Sequence, residues 1–293
     1  MIANALSQID ELPDFSDDGK IAVMSDFGGE HPGAHFNTYS FLFLSYNKVG
    51  PIMEKLKALR EKHNLVEPYS EFAYKRLRSG ARSRALPEFL NLVDNFIHGA
   101  LITLVIDRNI ASVFGSSKTE AHAFIEKELL ASGFGKWTGA SGEKALRICH
   151  SIAIFASVMT HANQRLLWYC DNDTINENGV ERHFEHTQKL FAHILGMYSP
   201  HTFEIVGFAK SFDDKSHLDD LLSVPDLAAG VVQDILQGHR TGQDIPGGDE
   251  KIAVIKWISS PAKFLSKITV QIAKLSDGQL GSGLIAITPK SEE

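Results

Sequence analysis

The stretch LDDLLSVPDLAAGVVQDIL (residues 218–236) opens on acids and then runs apolar, and its reading decides the fold. Asp226 follows Pro225 and precedes Leu227-Ala228-Ala229-Gly230. Proline suits the first position of a helix, where its missing N–H matters least. An aspartate there meets the positive end of the helix dipole. The spacing predicts a helix that starts at Pro225 with Asp226 in its first turn. Ala229 and Gly230 lie three and four residues further on and share the face of Asp226. So small a face lets a helix lie close against a sheet, which brings the carboxylate up to the strand ends. Asp226 is then informative only in company, if other carboxylates stand at strand ends.

Outward from this helix, apolar runs bounded by turn residues predict strands at 20–26 (KIAVMSD), 36–47, 100–107 (ALITLVID), 165–171 (RLLWYCD) and 203–209. Helical spacing predicts helices at 51–64, 86–99, 117–131, 142–163 and 181–196. The short run EFAYK (71–75) reads as extended, which would place Glu71 and Lys75 on one face. Strands interleaved with helices indicate a layered α/β domain over 20–237, with a helical insertion at about 109–164. Residues 1–19 are polar and acidic and read as a loose N-terminal arm. Residues 238–293 read as a linker and a C-terminal extension, with a hairpin around Asp277-Gly278.

Three of the apolar strands end in an aspartate: Asp26, Asp107 and Asp171. Acids are common after strands because aspartate favours turns. The joint pattern goes further, since strand ends in a layered α/β sheet can converge on one crevice. Asp173 falls on the same face as Asp171 by strand alternation. Clustered carboxylates repel one another and are costly to desolvate unless a cation joins them. Oxygen-only ligands select hard ions, Mg²⁺ or Mn²⁺. Two such ions roughly 4 Å apart can activate a water and stabilise the leaving oxygen of a phosphodiester.

The bulk composition narrows the field. The chain has 293 residues, is 43% hydrophobic and carries a formal net charge of −7, so it is no generally basic nucleic-acid coater. No signal-peptide pattern opens the sequence, and no apolar run is long enough to span a bilayer. Two cysteines, Cys149 and Cys170, make no disulfide framework, and a reducing cytoplasm is the expected location. The segment YKRLRSGARSR (74–84) gathers Lys75, Arg76, Arg78, Arg82 and Arg84 in this acidic chain. It reads either as a solvated loop or as an edge that grips nucleic-acid phosphates. His183, His186 and His193 share a helical stretch but lack the companions of a zinc site, and Cys149-His150 reads as core.

An aspartate after strand one, a Glu/Lys pair, an aspartate after a later strand and a closing helix of the type Q-x-A-D-L-x-A-G resemble one family. That family is domain of unknown function 3800, similar to the ribonuclease H-like nucleases and transposases. The closing motif stands here as Ser223-Val224-Pro225-Asp226-Leu227-Ala228-Ala229-Gly230, with Ser223 in place of the usual glutamine. The family's D-E-S/G opening stands as Asp26-Phe27-Gly28-Gly29, without the adjacent acid unless Glu30 replaces it. Its E-x-K stands as Glu71-Phe72-Ala73-Tyr74-Lys75, more widely spaced. The resemblance covers roughly residues 20–237. It implies a ribonuclease H-like mixed sheet flanked by helices and a two-metal nuclease acting on RNA, DNA or a hybrid. Asp26, Asp171 and Asp226 would hold Mg²⁺ or Mn²⁺, Glu71 would complete the site or position water, and Lys75 would neutralise the scissile phosphate. Asp107 is an alternative to Asp171 for the middle strand, although "IDRN" more resembles the family's non-catalytic "IDK" strand; Asp173 is a further candidate. The other reading is a ribonuclease H-like fold kept as a binding or regulatory module without catalysis.

Overall fold

Strands form where the apolar runs fall, and the computed structural model joins them in one mixed sheet. It describes residues 2–288 except 67, 68, 70, 79, 212–215 and 246; Ser79 of the basic segment and the end of the expected C-terminal extension lie outside the described residues. Strands β1 (Lys20–Gly28), β2 (Phe36–Ser45) and β3 (Gly99–Asp107) form an antiparallel meander. Beyond β1, strands β4 (Arg165–Cys170) and β5 (Ile205–Lys210) continue in parallel. On the far side, β6 (Leu265–Lys274) runs parallel to β3 and β7 (Leu280–Leu284) folds back on it. The order is β5-β4-β1-β2-β3-β6-β7.

The central strands are buried on both faces, and alternate residues feed two separate cores. Ile21, Val23, Tyr39, Phe41, Phe43, Ile102 and Leu104 pack on one side. There they meet α4 (Lys118–Ala131), α5 (Gly139–Met159) and α6 (Phe184–Tyr198). Ala22, Met24, Leu42, Leu44, Leu101 and Val105 pack on the other. That side is covered by α2 (Gly50–His63), α3 (Gly80–Phe96), α7 (His217–Thr241) and α8 (Asp249–Ser259). This mixed sheet flanked by helices is the layered α/β architecture expected from the sequence.

Both ends of the chain depart from expectation. Residues 2–19 are anchored, not loose: α1 (Ile2–Leu6) lies against β7, and Ala5 and Phe15 are buried in the first core. The expected hairpin exists, with Gly278 at positive φ in its turn, but its first strand extends the main sheet beside β3. Helix α8 occupies the segment between linker and hairpin, where no element was expected; Val254, Trp257 and Ile258 bury it. No helix among the described residues is long and apolar enough to cross a membrane.

Candidate active site

The strand register brings two of the acids together. Ser25 of β1 pairs with Cys170 of β4, so Asp26 and Asp171 follow side by side where the two parallel strands part. Asp226 arrives from α7, which lies across β1 and β2. All three line one cleft of about 740 Å³, together with Glu71, Lys75 and Asp173.

Asp226 is not a helix-start residue. Helix α7 begins at His217, two turns before Pro225, which lies inside it. The start is fixed by a reciprocal cap: the Ser216 hydroxyl accepts the Leu218 N–H at 3.2 Å, and the Asp219 carboxylate accepts the Ser216 N–H at 2.6 Å. This cap satisfies orphan donors that a start at Pro225 would have left to Asp226. Helix-dipole chemistry therefore does not account for Asp226. Its Oδ2 instead accepts the backbone N–H of Tyr74 at 2.8 Å, from a segment far away in sequence. Residues 71–75 are likewise not a strand; they lead into a 3₁₀ turn, Tyr74–Arg76, held to α7 by that bond.

The charges in the cleft act on one another. Burial pushes the Asp26 carboxyl well above the usual range, and the charges of Asp226, Asp171 and Asp173 push it further, opposed by Lys75. Asp226 is raised to about 6, first by burial and then by Glu71 and Asp171, against the Tyr74 N–H and Lys75. Two acids held this far out of range in one cleft mark a place where positive charge is wanted.

The remaining candidates separate cleanly. Asp173 accepts from Lys144 Nζ of α5 at 2.7 Å, and the same lysine meets Glu30 at 2.6 Å. Lys144 brings one positive charge to these two carboxylates, so it offsets them only in part. Asp107 ends β3 but pairs with Arg240 at 2.6 Å and does not line the cleft. Of the basic segment, Lys75, Arg76 and Arg78 line the cleft. Arg82 and Arg84 lie in the first turns of α3 and do not line it; an Arg82 guanidinium N–H donates to the Arg76 carbonyl at 3.2 Å. The His183 N–H donates to His186 Nδ1 at 2.9 Å, so that pair caps α6. Cys149 and Cys170 are free and buried.

Sequence reasoning missed Tyr74, Lys144, Asp234 and Lys251. The Tyr74 hydroxyl donates to Asp234 at 2.8 Å, and Asp234 is paired with Lys251 of α8. Asp234 lies eight residues after Asp226 on one helix, so helical periodicity could have flagged it once Asp226 was placed mid-helix. Tyr74 also explains Gly230. Ala229 is the small residue that faces the sheet, near Gly28, whereas a Cβ on Gly230 would lie 2.2 Å from the Tyr74 ring. Gly230→Ala is expected to destabilise by about 1–3 kcal/mol through overpacking, outweighing the ~1 kcal/mol that alanine gains over glycine in a helix. Urea denaturation decides, because a stabilised variant would mean the Tyr74 ring gives way freely.

Among the described residues, no three His, Cys, Asp or Glu side chains stand as a ready-made metal-ligating group. No family model matches the chain, so the resemblance to domain of unknown function 3800 rests on the motif residues alone; no curated protein matches either. Among solved structures, the chain is similar to the crystal structure of the ribonuclease H2 from Pyrococcus horikoshii OT3. Identity is 11%, the match covers 82% of this chain and 85% of that chain, and the TM-score is 0.37.

Proposed function

We propose that this protein is a divalent-metal-dependent nuclease that hydrolyses phosphodiester bonds of nucleic acid in the cleft between β1, β4 and α7. The observation that carries this reading is the meeting of Asp26, Asp171 and Asp226, from three separate elements, in one cleft. The donor set fits a hard cation, being all carboxylate oxygen, and the raised Asp26 and Asp226 carboxyls are acids whose charged forms a cation would restore. Asp26, Asp171 and Asp226 would hold Mg²⁺ or Mn²⁺, which when bound polarises a phosphate and lowers the pKa of a water. Glu71, whose charge reaches Asp226, would orient that water. Lys75 would meet the scissile phosphate, and Arg76 and Arg78 its neighbours along the strand.

Labelled RNA, DNA and hybrid substrates incubated with MgCl₂, MnCl₂ or EDTA test the reading; cleavage that needs the cation is expected. Replacing Arg76 and Arg78 with alanine should also flatten the salt dependence of binding. The log–log slope should fall by about 1.4 for a single strand, because two fewer counterions are released. An unchanged slope in a filter-binding titration would return both arginines to solvent. Lys144 favours a second reading, a binding module without catalysis, because it already places a protein cation against Asp173 and Glu30 at the rim of the cleft. Tight binding with no cleavage of any substrate would select it.

A further inference from the structure

One side chain in the cleft has no partner for either of its polar atoms. Gln233 is 5% exposed, and among the described residues neither its amide oxygen nor its amide nitrogen has a hydrogen-bond partner. Its neighbours along α7 behave differently. The Gln237 side chain accepts the His35 N–H at 3.0 Å and donates to the Gly33 carbonyl at 3.2 Å, so both ends of that amide are engaged in holding the loop after β1. Asp234, on the other side, is held by Tyr74 and Lys251. Gln233 lines the same cleft as Asp226 and lies seven residues further along α7, two turns on the same face. Thr38, paired with Gly28 across β1 and β2, presents a buried hydroxyl that also has no partner among the described residues, in the seam that α7 covers.

Leaving a buried amide unpaired is costly to the free protein, and a leucine of similar volume would avoid that cost. A group kept in this condition beside a row of acids is poised for something that enters the cleft. We infer that Gln233 is a substrate-contacting residue, whose amide receives a nucleic-acid group that offers one donor and one acceptor together. A sugar hydroxyl and the edge of a base both have this chemistry. The inference rests on the nucleic-acid reading above. It adds a recognition point about two helical turns from Asp226, so the strand would run along α7 past Gln233 as it crosses the acids.

The test separates binding from cleavage. Gln233→Leu and wild type are compared by thermal melts without ligand. Fluorescence anisotropy with labelled oligonucleotides in EDTA then measures binding without turnover. Gln233→Leu should melt about 2–4 °C higher than wild type, because an unsatisfied polar group is removed. It should bind about five- to tenfold more weakly, because one pair of hydrogen bonds is lost. Gln233→Glu, which keeps an acceptor but loses the donor, should not restore binding. A binding penalty that disappears on a deoxy strand assigns the contact to a sugar hydroxyl, and one that disappears on an abasic strand assigns it to a base. Unchanged affinity for every oligonucleotide, or a lower melting temperature in Gln233→Leu, would overturn the inference. Absence of cleavage by wild type would count against the nuclease reading alone, because anisotropy in EDTA still reports on Gln233.

Discussion

Asp226→Asn is expected to lower cation-dependent cleavage about 10³-fold or more while making the metal-free protein more stable at pH 8. The two effects have one source. Asp226 is raised to about 6 from the usual 3.8, burial being the largest cause. Between these values the native state holds a proton that the unfolded chain has lost. Stability from this group is thus full below about 3.8, falls as pH rises, and is lost above about 6. The shift corresponds to roughly 3 kcal/mol at most, since one unit is worth about 1.36 kcal/mol. Asparagine keeps an acceptor for the Tyr74 N–H and carries no charge, so it removes the penalty without opening the site. In the role proposed for it, Asp226 would also supply charge that a divalent cation needs, and several kcal/mol of transition-state stabilisation would go with its loss. Thermal melts of both proteins at pH 5 and pH 8, with and without MgCl₂, read out both effects. The variant should gain at pH 8, gain less at pH 5, and show little stabilisation by MgCl₂. Equal MgCl₂ stabilisation in both proteins, with cleavage intact, would exclude Asp226 as a ligand.

The contrast between Asp226 and Asp107 shows which parts of this molecule are legible in its sequence. Both follow apolar residues and both read as strand-end or helix-start acids. The strands themselves were legible because each is a local apolar run, and β1, β3 and β4 fall within a few residues of their expected limits. Their order in the sheet was not, because pairing joins residues far apart: β4 inserts beside β1, and β6 beside β3. Only that order puts Asp171 next to Asp26 and leaves Asp107 to Arg240. The start of α7 was misread because Pro225 is a strong local signal, whereas Ser216 and Asp219 act as a pair three residues apart. Once the reciprocal cap takes the helix start, Pro225 costs one backbone bond inside α7, and packing on the sheet offsets it. The extended reading of 71–75 failed for a related reason: the Tyr74 N–H is satisfied by a side chain on α7, which no local pattern contains.

Removing one partner of the buried pair Arg60–Asp220 is expected to have the largest effect on stability of any single change outside the cleft. Arg60 of α2 and Asp220 in the first turn of α7 are 5% and 3% exposed. The Arg60 Nε–H lies 3.0 Å from each Asp220 carboxylate oxygen, and a further guanidinium N–H donates to the Leu65 carbonyl at 3.0 Å. The guanidinium also lies 3.8 Å from the centre of the Tyr69 ring. Such a pair adds little net stability relative to apolar residues, because both ions are desolvated. Breaking it leaves a buried charge unmatched and costs about 3–5 kcal/mol. Asp220→Ala should therefore lower the urea midpoint sharply, and Arg60→Met combined with Asp220→Leu should recover most of the loss. The same pair ties the first turn of α7 to α2, six residues before Asp226 meets the Tyr74 N–H. Asp220→Ala should consequently weaken cleavage even under conditions where the variant remains folded, because the helix that carries Asp226 is no longer pinned to α2. The doubly apolar variant separates the two roles. Recovered stability with recovered cleavage means that packing alone sets the position of α7. Recovered stability without cleavage means that the ion pair sets its register. A loss below about 1 kcal/mol in Asp220→Ala would show that water reaches Arg60 and that the pair does not anchor the helix.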